Sequence, residues 1–543
     1  MGLLKNASFM SVAVLISRIL GLVRESVFAL LFGAGVVSDA YIAAFRIPNL
    51  FRDLFAEGAL SSAFVSVFAR EKNIQNQKQM AKAVMTVSAL VVGMICIGIF
   101  FSAEFIVDLM VPSFRLVEGK FELTVTLTRI LSPFLLFISC AALAMGVLNT
   151  RGSFFIPALG AAAFNLSNVL IGGGLALVFL SRGIEAAIVA FTVGTLAGSF
   201  FQWGTQWREL KKQGFHPLAG FVDILRPRQI QQALKDSSVI QVALIMAPSV
   251  LSVAAVQINV LVATNFASAL GSGPVSWLSY AYRIMHFPMG VFGVALSAAT
   301  LPRLAGFLAN KDTKGFDETL GQALRWTLIL AIGSAAGLVF FREMLVSLLY
   351  ERGRFDSHDT WMTAQALMAY AFGLIAFNCT KIFVQAFYAY KKVWIPSFVS
   401  ISSIILHYFL CLHFSQSLGH MGLALSTSLI GFLNALVLAV ILKYLGVHFQ
   451  IDRMIKMLFV CVVGVVAMSG FYFLGIPEWI MSYRRDVVQS SWSKEWFVFL
   501  FYSLLLVCVA GSAYLATIAL FDQEARVLSQ KLRDKIFKRR NVL

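Results

Sequence analysis

Apolar residues fall in long runs rich in Leu, Val, Ile, Phe and Ala, separated by short polar connections. The runs do not alternate polar with apolar positions, so they predict helices rather than strands of a barrel. A helix of about 20 apolar residues crosses a bilayer core, and the chain has room for about fourteen such spans. The first six cover 8–32, 38–68, 83–110, 123–148, 154–180 and 184–207. The next six cover 237–269, 275–308, 320–349, 360–390, 394–414 and 421–445, and two more follow at 454–474 and 496–521. The first run starts directly after residues 1–6 with no small-residue cleavage site, and reads as an uncleaved first span. Asn6 stands where a myristoylation motif wants Ser or Thr.

Composition turns this pattern into a class. Of 543 residues, 59% are hydrophobic and 13% are charged, and the mean hydropathy is +0.80. A soluble domain carries about 25% charged residues, so lipid must be the solvent for most of the chain. The net charge of +17 does not indicate a nucleic-acid partner, because the basic residues lie in short connections and in the tail at 523–540. That placement is a topology signal with a secondary attraction to anionic headgroups. Roughly 27 Lys and Arg residues fall on the side that includes the N-terminus, against about eight on the other. The eight are Arg115, Lys120, Arg182, Arg352, Arg354, Arg484, Arg485 and Lys494. Both termini are therefore expected in the cytoplasm, and the tail is expected to lie as a basic amphipathic helix on the inner leaflet. Cys96, Cys140, Cys379, Cys411, Cys461 and Cys508 all sit in apolar runs, without metal-ligand or disulfide spacing. No metal and no cofactor is expected.

Shifting the chain against itself by roughly 237 to 239 residues aligns several features. Phe45-Arg46-Ile47 falls on Tyr282-Arg283-Ile284, and Ala59-Leu60-Ser61 near Ala295-Leu296-Ser297. Phe100-Phe101 with Glu104 falls near Phe340-Phe341 with Glu343, and Ile156-Pro157 on Ile395-Pro396. The repeat unit holds six spans, which predicts an all-α polytopic membrane protein with two six-helix lobes related by a pseudo-two-fold axis, plus two C-terminal helices. The expected domains are a first lobe at 1–212, a cytoplasmic linker at 213–236, a second lobe at 237–446, two added helices at 447–522 and a basic tail at 523–543.

Charge inside a span costs about 2.5–3.5 kcal/mol per residue at the helix centre on insertion scales. Spans one and two nevertheless hold Arg18, Arg24, Glu25, Asp39, Arg46, Arg52, Asp53 and Glu57, and span eight adds Arg283 and His286. A hydrated cavity lined by these three spans is the expected reason. Gly21 between Arg18 and Arg24 allows a bend or a close helix approach, and Pro48 loosens span two before Asn49 and Arg52, which share a face. Pro288, Gly290 and Gly293 after Arg283 suggest another bend. Guanidinium groups stay charged and present a planar fork of donors matched to phosphate oxygens. The pattern therefore suits a diphosphate better than a cation or a neutral sugar. Each feature also has a plainer reading: Arg46, Asp53 and Glu57 as internal salt bridges or membrane-edge residues, and Arg18 as a packing partner of Glu25 or Asp39. Glu104, Asp108 and Glu343 read as interfacial, and Lys381 and His407 as structural. No P-loop, GxSxG, HExxH or acidic metal cluster occurs, so the expectation is a transporter and not an enzyme.

Specific motifs then suggest a family. Ser17-Arg18-Ile19-Leu20-Gly21-Leu22-Val23-Arg24-Glu25, Phe32-Gly33-Ala34-Gly35 and Ser38-Asp39-Ala40-Tyr41 resemble the MurJ (MviN) lipid II flippase family. Phe45-Arg46-Ile47-Pro48-Asn49-Leu50-Phe51-Arg52 and Phe55-Ala56-Glu57-Gly58-Ala59 continue the resemblance, as do Val275-Ser276-Trp277 and Tyr280-Ala281-Tyr282-Arg283. The resemblance extends over essentially the whole chain. It implies the fold of the multidrug/oligosaccharidyl-lipid/polysaccharide exporter superfamily, and flipping of lipid II from the inner to the outer leaflet of the bacterial cytoplasmic membrane. It implies that Arg18, Arg24, Arg52 and Arg283 are functionally critical cavity arginines, and that Asp39 and Asn49 are polar positions of the same cavity. From the residues themselves, Arg18, Arg24, Asn49, Arg52 and Arg283 are expected to bind the substrate, with Asp39, Glu57 and His286 as polar or gating groups of the cavity. Family members often carry acids where this chain has Tyr282 and His286, so no ion-pair gate and no coupling-ion site is carried over. The alternatives are a flippase for another undecaprenyl-diphosphate-linked polysaccharide, or a membrane scaffold without transport.

Overall fold

The computed structural model describes residues 2–52, 60–224, 226–487 and 494–521. These residues are helical, with no strand among them. Nine helical runs among them are long and apolar enough to cross a membrane. One, Trp394–Tyr444, holds 51 residues, which as one straight helix would measure about 77 Å against a hydrocarbon core of about 30 Å. It is two helices, broken at Gly419 with φ 57° and ψ −137°. The break falls between the predicted spans eleven and twelve. The close return also requires Gly422, where a Cβ would lie 2.1 Å from the Phe414 carbonyl oxygen.

The chain divides into two compact units, one of residues Met1–Ser276 with Gly353–Asp356, the other of Trp277–Arg352 with Ser357–Leu543. The helix Ser237–Ser268, which opens the second lobe in the sequence reading, clusters with the first unit. The linker folds into two short helices, Ala219–Ile224 and Pro227–Leu234. Lys82 holds this segment to the helix Ile74–Phe101 through Asp223 at 3.0 Å and Gln229 at 3.1 Å.

Within each unit the repeat is visible in the backbone. Ile74–Phe101 and Thr313–Phe340 both hold 28 residues, and both end at a residue that leaves the helical region in nearly the same way. Ser102 has φ −93°, ψ 11° and Phe341 has φ −108°, ψ 16°. A short helix follows each, Ala103–Met110 and Arg342–Tyr350. Gly183 (φ 113°) precedes helix Ile184–Gly204, as Gly419 precedes the last half of Trp394–Tyr444.

Helix ends differ from the apolar runs in a regular way. Span three was expected from residue 83, yet its helix starts at Ile74, where the Asn73 side chain accepts from the Gln75 N–H at 2.8 Å. Span nine likewise starts at Thr313 behind an Asp312 cap. Hydropathy marks the lipid-embedded part of a helix, whereas the caps mark where its backbone ends. The helix Ile476–Val487 was not expected, because its apolar face is only one side of a polar segment. The amphipathic tail predicted at 523–540 lies outside the described residues.

The first unit's core gathers Phe64, Phe68, Leu143 and Trp203. In the second unit, Leu324, Ile382, Phe387 and Leu438 pack with residues of the last two spans. Tyr514 joins those spans to Thr313–Phe340: its hydroxyl donates to the Ile329 carbonyl at 2.8 Å, and its ring fills the space left by Gly333 and Gly464. On Ile451–Phe473 an exposed stripe of Ile455, Phe459, Val462 and Val466 follows one helix face. Such a stripe belongs in lipid.

Candidate functional site

Arg18 and Arg24 are half-buried on the helix Gly2–Phe32. Ser17, Gly21 and Arg24, spaced by four and three residues, form a stripe against Phe155–Ser167. Asn165 Nδ2 donates to the Ser17 carbonyl at 3.1 Å and lies 3.6 Å from where a Cβ on Gly21 would be. The Arg24 guanidinium stands 5.3 Å from the Phe164 ring centre. The helix runs unbroken through Gly21, so the glycine serves close approach rather than a bend.

Glu25 is buried and accepts from Nε and Nη2 of Arg24. Arg24 is thus an ion-pair partner of Glu25. Asn49 and Arg52 are half-buried in the last turn of Val36–Phe51, and the Arg52 N–H donates to the carbonyls of Asn49 and Pro48. Arg46 Nη1 donates to the Val260 carbonyl at 3.4 Å, an internal role. Glu57 and Asp53 lie outside the described residues.

Asp39 is not on a hydrated surface. Its side chain and that of Lys120 are both 0% exposed, with Lys120 Nζ 2.9 Å from Asp39 Oδ2. The carboxylate also accepts from the N–H of Gly273 (2.8 Å), the N–H of Ser276 (2.8 Å) and Ser276 Oγ (2.6 Å). It thus caps the first turn of the helix Pro274–Pro288, where an acid is favoured by the exposed N–H groups. Lys120 completes its own shell with the Gly271 carbonyl at 3.4 Å and the Phe114 ring at 4.1 Å.

Lys120 corrects the sequence reading, which counted it as an outer-loop cation. A charge in the first turn of a span looks interfacial by hydropathy, and only the tertiary fold covers it. The repeat held a signal: at the aligned positions of the second unit, Trp277 Nε1 donates to Asp359 Oδ1 at 2.9 Å. Each unit thus ties the start of one span to the start of another with a buried polar contact. The chemistry is reversed between them.

In the second unit, Arg283 and His286 are half-buried on Pro274–Pro288. The His286 and Tyr282 rings lie 4.1 Å apart, and Tyr282 meets Tyr370 at 5.5 Å. The two positions that depart from the family pattern therefore form a ring pair. The expected bend is a π-helical turn, Met289–Gly293, directly after Pro288. No group of three or more His, Cys, Asp or Glu residues among the described residues could hold a metal ion. Glu104 and Asp108 pair with Arg115 at 3.6 and 2.6 Å on an exposed end, in keeping with an interfacial role.

An all-helical bundle of many membrane-spanning helices defines the class: a polytopic membrane transporter rather than an enzyme. The family described as Lipid II flippase MurJ matches residues 28–506, and the chain belongs to that family. The Lipid II flippase MurJ of Burkholderia cenocepacia is 36% identical over 80% of this chain and 82% of its own. The Probable lipid II flippase MurJ of Buchnera aphidicola (subsp. Schizaphis graminum) is 31% identical over 99% of this chain and 100% of its own. A solved structure of a Lipid II flippase MurJ in an inward closed conformation superposes with a TM-score of 0.71 at 27% identity, covering 93% of this chain and 98% of that one. An inward-facing multidrug resistance MATE transporter of the MOP superfamily shares the fold at 15% identity and a TM-score of 0.63, over 78% of this chain and 92% of that one.

Proposed function

We propose that this protein flips lipid II, the undecaprenyl-diphosphate-linked cell-wall precursor, from the inner to the outer leaflet of the cytoplasmic membrane by alternating access. The family match across residues 28–506 carries this reading, and the arginines in spans one, two and eight give it a chemistry. Arg24, Arg52 and Arg283 bind the diphosphate, with Arg18 and Asn49 in support. The prenyl tail stays in lipid, along the two C-terminal spans. Six-helix lobes at 1–212 and 237–446 move about the substrate, and both termini lie in the cytoplasm.

Glu25 has a place in this cycle. Its carboxylate neutralises Arg24 when no substrate is bound, and an arriving diphosphate must exchange for it. The exchange keeps an unpaired guanidinium out of low dielectric at each stage. An inside-negative potential favours outward movement of an anion by about 2.3 kcal/mol per charge per 100 mV.

Depletion of the protein followed by detection of lipid II on the outer leaflet tests the function. Accumulation on the inner leaflet is expected, and unaltered outer labelling would overturn the reading. Accumulation of a different diphosphate-linked glycolipid would point to a polysaccharide flippase. A scaffold would tolerate loss of charge at Arg24 and Arg52, whereas the flippase loses function while still reaching the membrane.

A further inference from the structure

The π-helical turn Met289–Gly293 stands between Pro274–Pro288, which carries Arg283, and Val294–Ala309. Pro288 has no N–H to give the preceding turn, which weakens the α register at that point. A π turn holds one residue more than an α turn. At 3.6 residues per turn, its conversion to α rotates everything before it by about 100° and shifts it by about 1.5 Å. The side chains on Pro274–Pro288 then face a different direction.

Behind this turn is a narrow crevice lined by Pro288, Gly293, Thr327, Ser334 and Asn378, which admits no water molecule. Asn378 is 4% exposed and Thr327 2%. Among the described residues, neither Asn378 Oδ1 nor Thr327 Oγ1 has a hydrogen-bond partner. The Asn378 amide nitrogen donates to the Leu374 carbonyl at 2.9 Å, which turns its oxygen to the crevice. That oxygen lies 2.1 Å from where a Cβ on Gly293 would be, so it fits against this turn only because residue 293 is glycine. A buried acceptor and hydroxyl left unsatisfied disfavour the state that leaves them so. The π turn they face is the element whose own N–H and C=O groups rotate when its register changes.

We propose that Asn378 and Thr327 are positioning residues for Arg283. Their unsatisfied polar atoms hold the π turn close in energy to its α alternative, so that the turn can re-aim the arginine during the transport cycle. The idea rests on the flippase reading above. It makes span eight a two-state element biased by two side chains that need not touch substrate.

The test uses the full-length protein in a cysteine-free background, with the double substitution Asn378→Leu and Thr327→Val. Removing both polar groups removes the penalty on the π register and should fix it. Lipid II flipping in vesicles should fall about tenfold, the scale of losing one buried hydrogen-bonding preference, while thermal stability stays level or rises. Reporter cysteines at Phe287 (40% exposed) and Met285 (0%) read the register. Maleimide should label both positions in the cycling parent, but only position 287 in the double variant. Unchanged labelling with an unchanged rate would overturn the proposal. A slower rate with lowered stability and unchanged labelling would also overturn it, because that is a packing defect. If the parent itself moves no lipid II, the functional reading fails, while the labelling contrast still decides the register.

Discussion

Lys120→Met provides a quantitative probe of the first unit. The substitution keeps the length of the side chain and removes its charge, leaving Asp39 wholly buried with the two Ser276 donors and the Gly273 N–H. Breaking a buried pair from one side costs about 3–5 kcal/mol, since an uncompensated charge remains. Three surviving donors support the carboxylate, so the lower half of that range applies. For a unit of a few hundred residues, 1 kcal/mol moves the midpoint by about 2–4 °C, so a fall of roughly 6–16 °C is expected. Asp39→Asn strands the Lys120 cation against the Phe114 ring and the Gly271 carbonyl, with a loss of similar size. The double variant D39N/K120M leaves no buried charge and should recover most of the stability. The assay is thermal unfolding in detergent, followed by a thiol-reactive dye at the buried Cys96 and Cys140 of the same unit. A loss below about 1 kcal/mol in Lys120→Met, or a double variant no better than either single one, would refute the reasoning.

Other predictions concern the second unit and the proposed site. Gly333→Ala places a Cβ 2.5 Å from a Tyr514 ring carbon, so overpacking should cost about 1–3 kcal/mol, and Tyr514→Phe about 0.5–1.5 kcal/mol, both read as midpoint shifts at Cys461. Burial, with Arg484 nearby as the second cause, lowers Arg352 well below the usual arginine range, to about 10. A base held below its unfolded value destabilises the fold while charged. Wild-type stability should therefore rise as pH climbs through and above about 10, and Arg352→Gln should flatten that rise in pH-dependent unfolding. Glu25→Gln frees Arg24 from its carboxylate and should tighten pyrophosphate binding, measured by calorimetry, while slowing flipping; weaker binding would remove Glu25 from the cycle.

The runs of apolar residues determined the class, the placement of most spans and the two-part plan. Each follows from local rules: lipid demands continuous apolar helices, and a duplicated pattern shows as a constant offset. The arginines were legible for the same reason, because charge is conspicuous where every neighbour is apolar. Partners were not legible. Sequence offered Arg18 as the partner of Glu25 or Asp39 and counted Lys120 among the outer loops, whereas the fold pairs Arg24 with Glu25 and Lys120 with Asp39. Burial of a charge at a helix end depends on which loop closes over it, and that loop lies far along the chain at Gly271–Ser276. Pro288 and two glycines announced a deformation in span eight, but its form, a π turn facing Asn378 and Thr327, was decided by packing against helices whose sequences say nothing about register. Hydropathy is additive along the chain and survives in one dimension; the satisfaction of individual polar atoms is settled between distant segments, and only three dimensions can supply it.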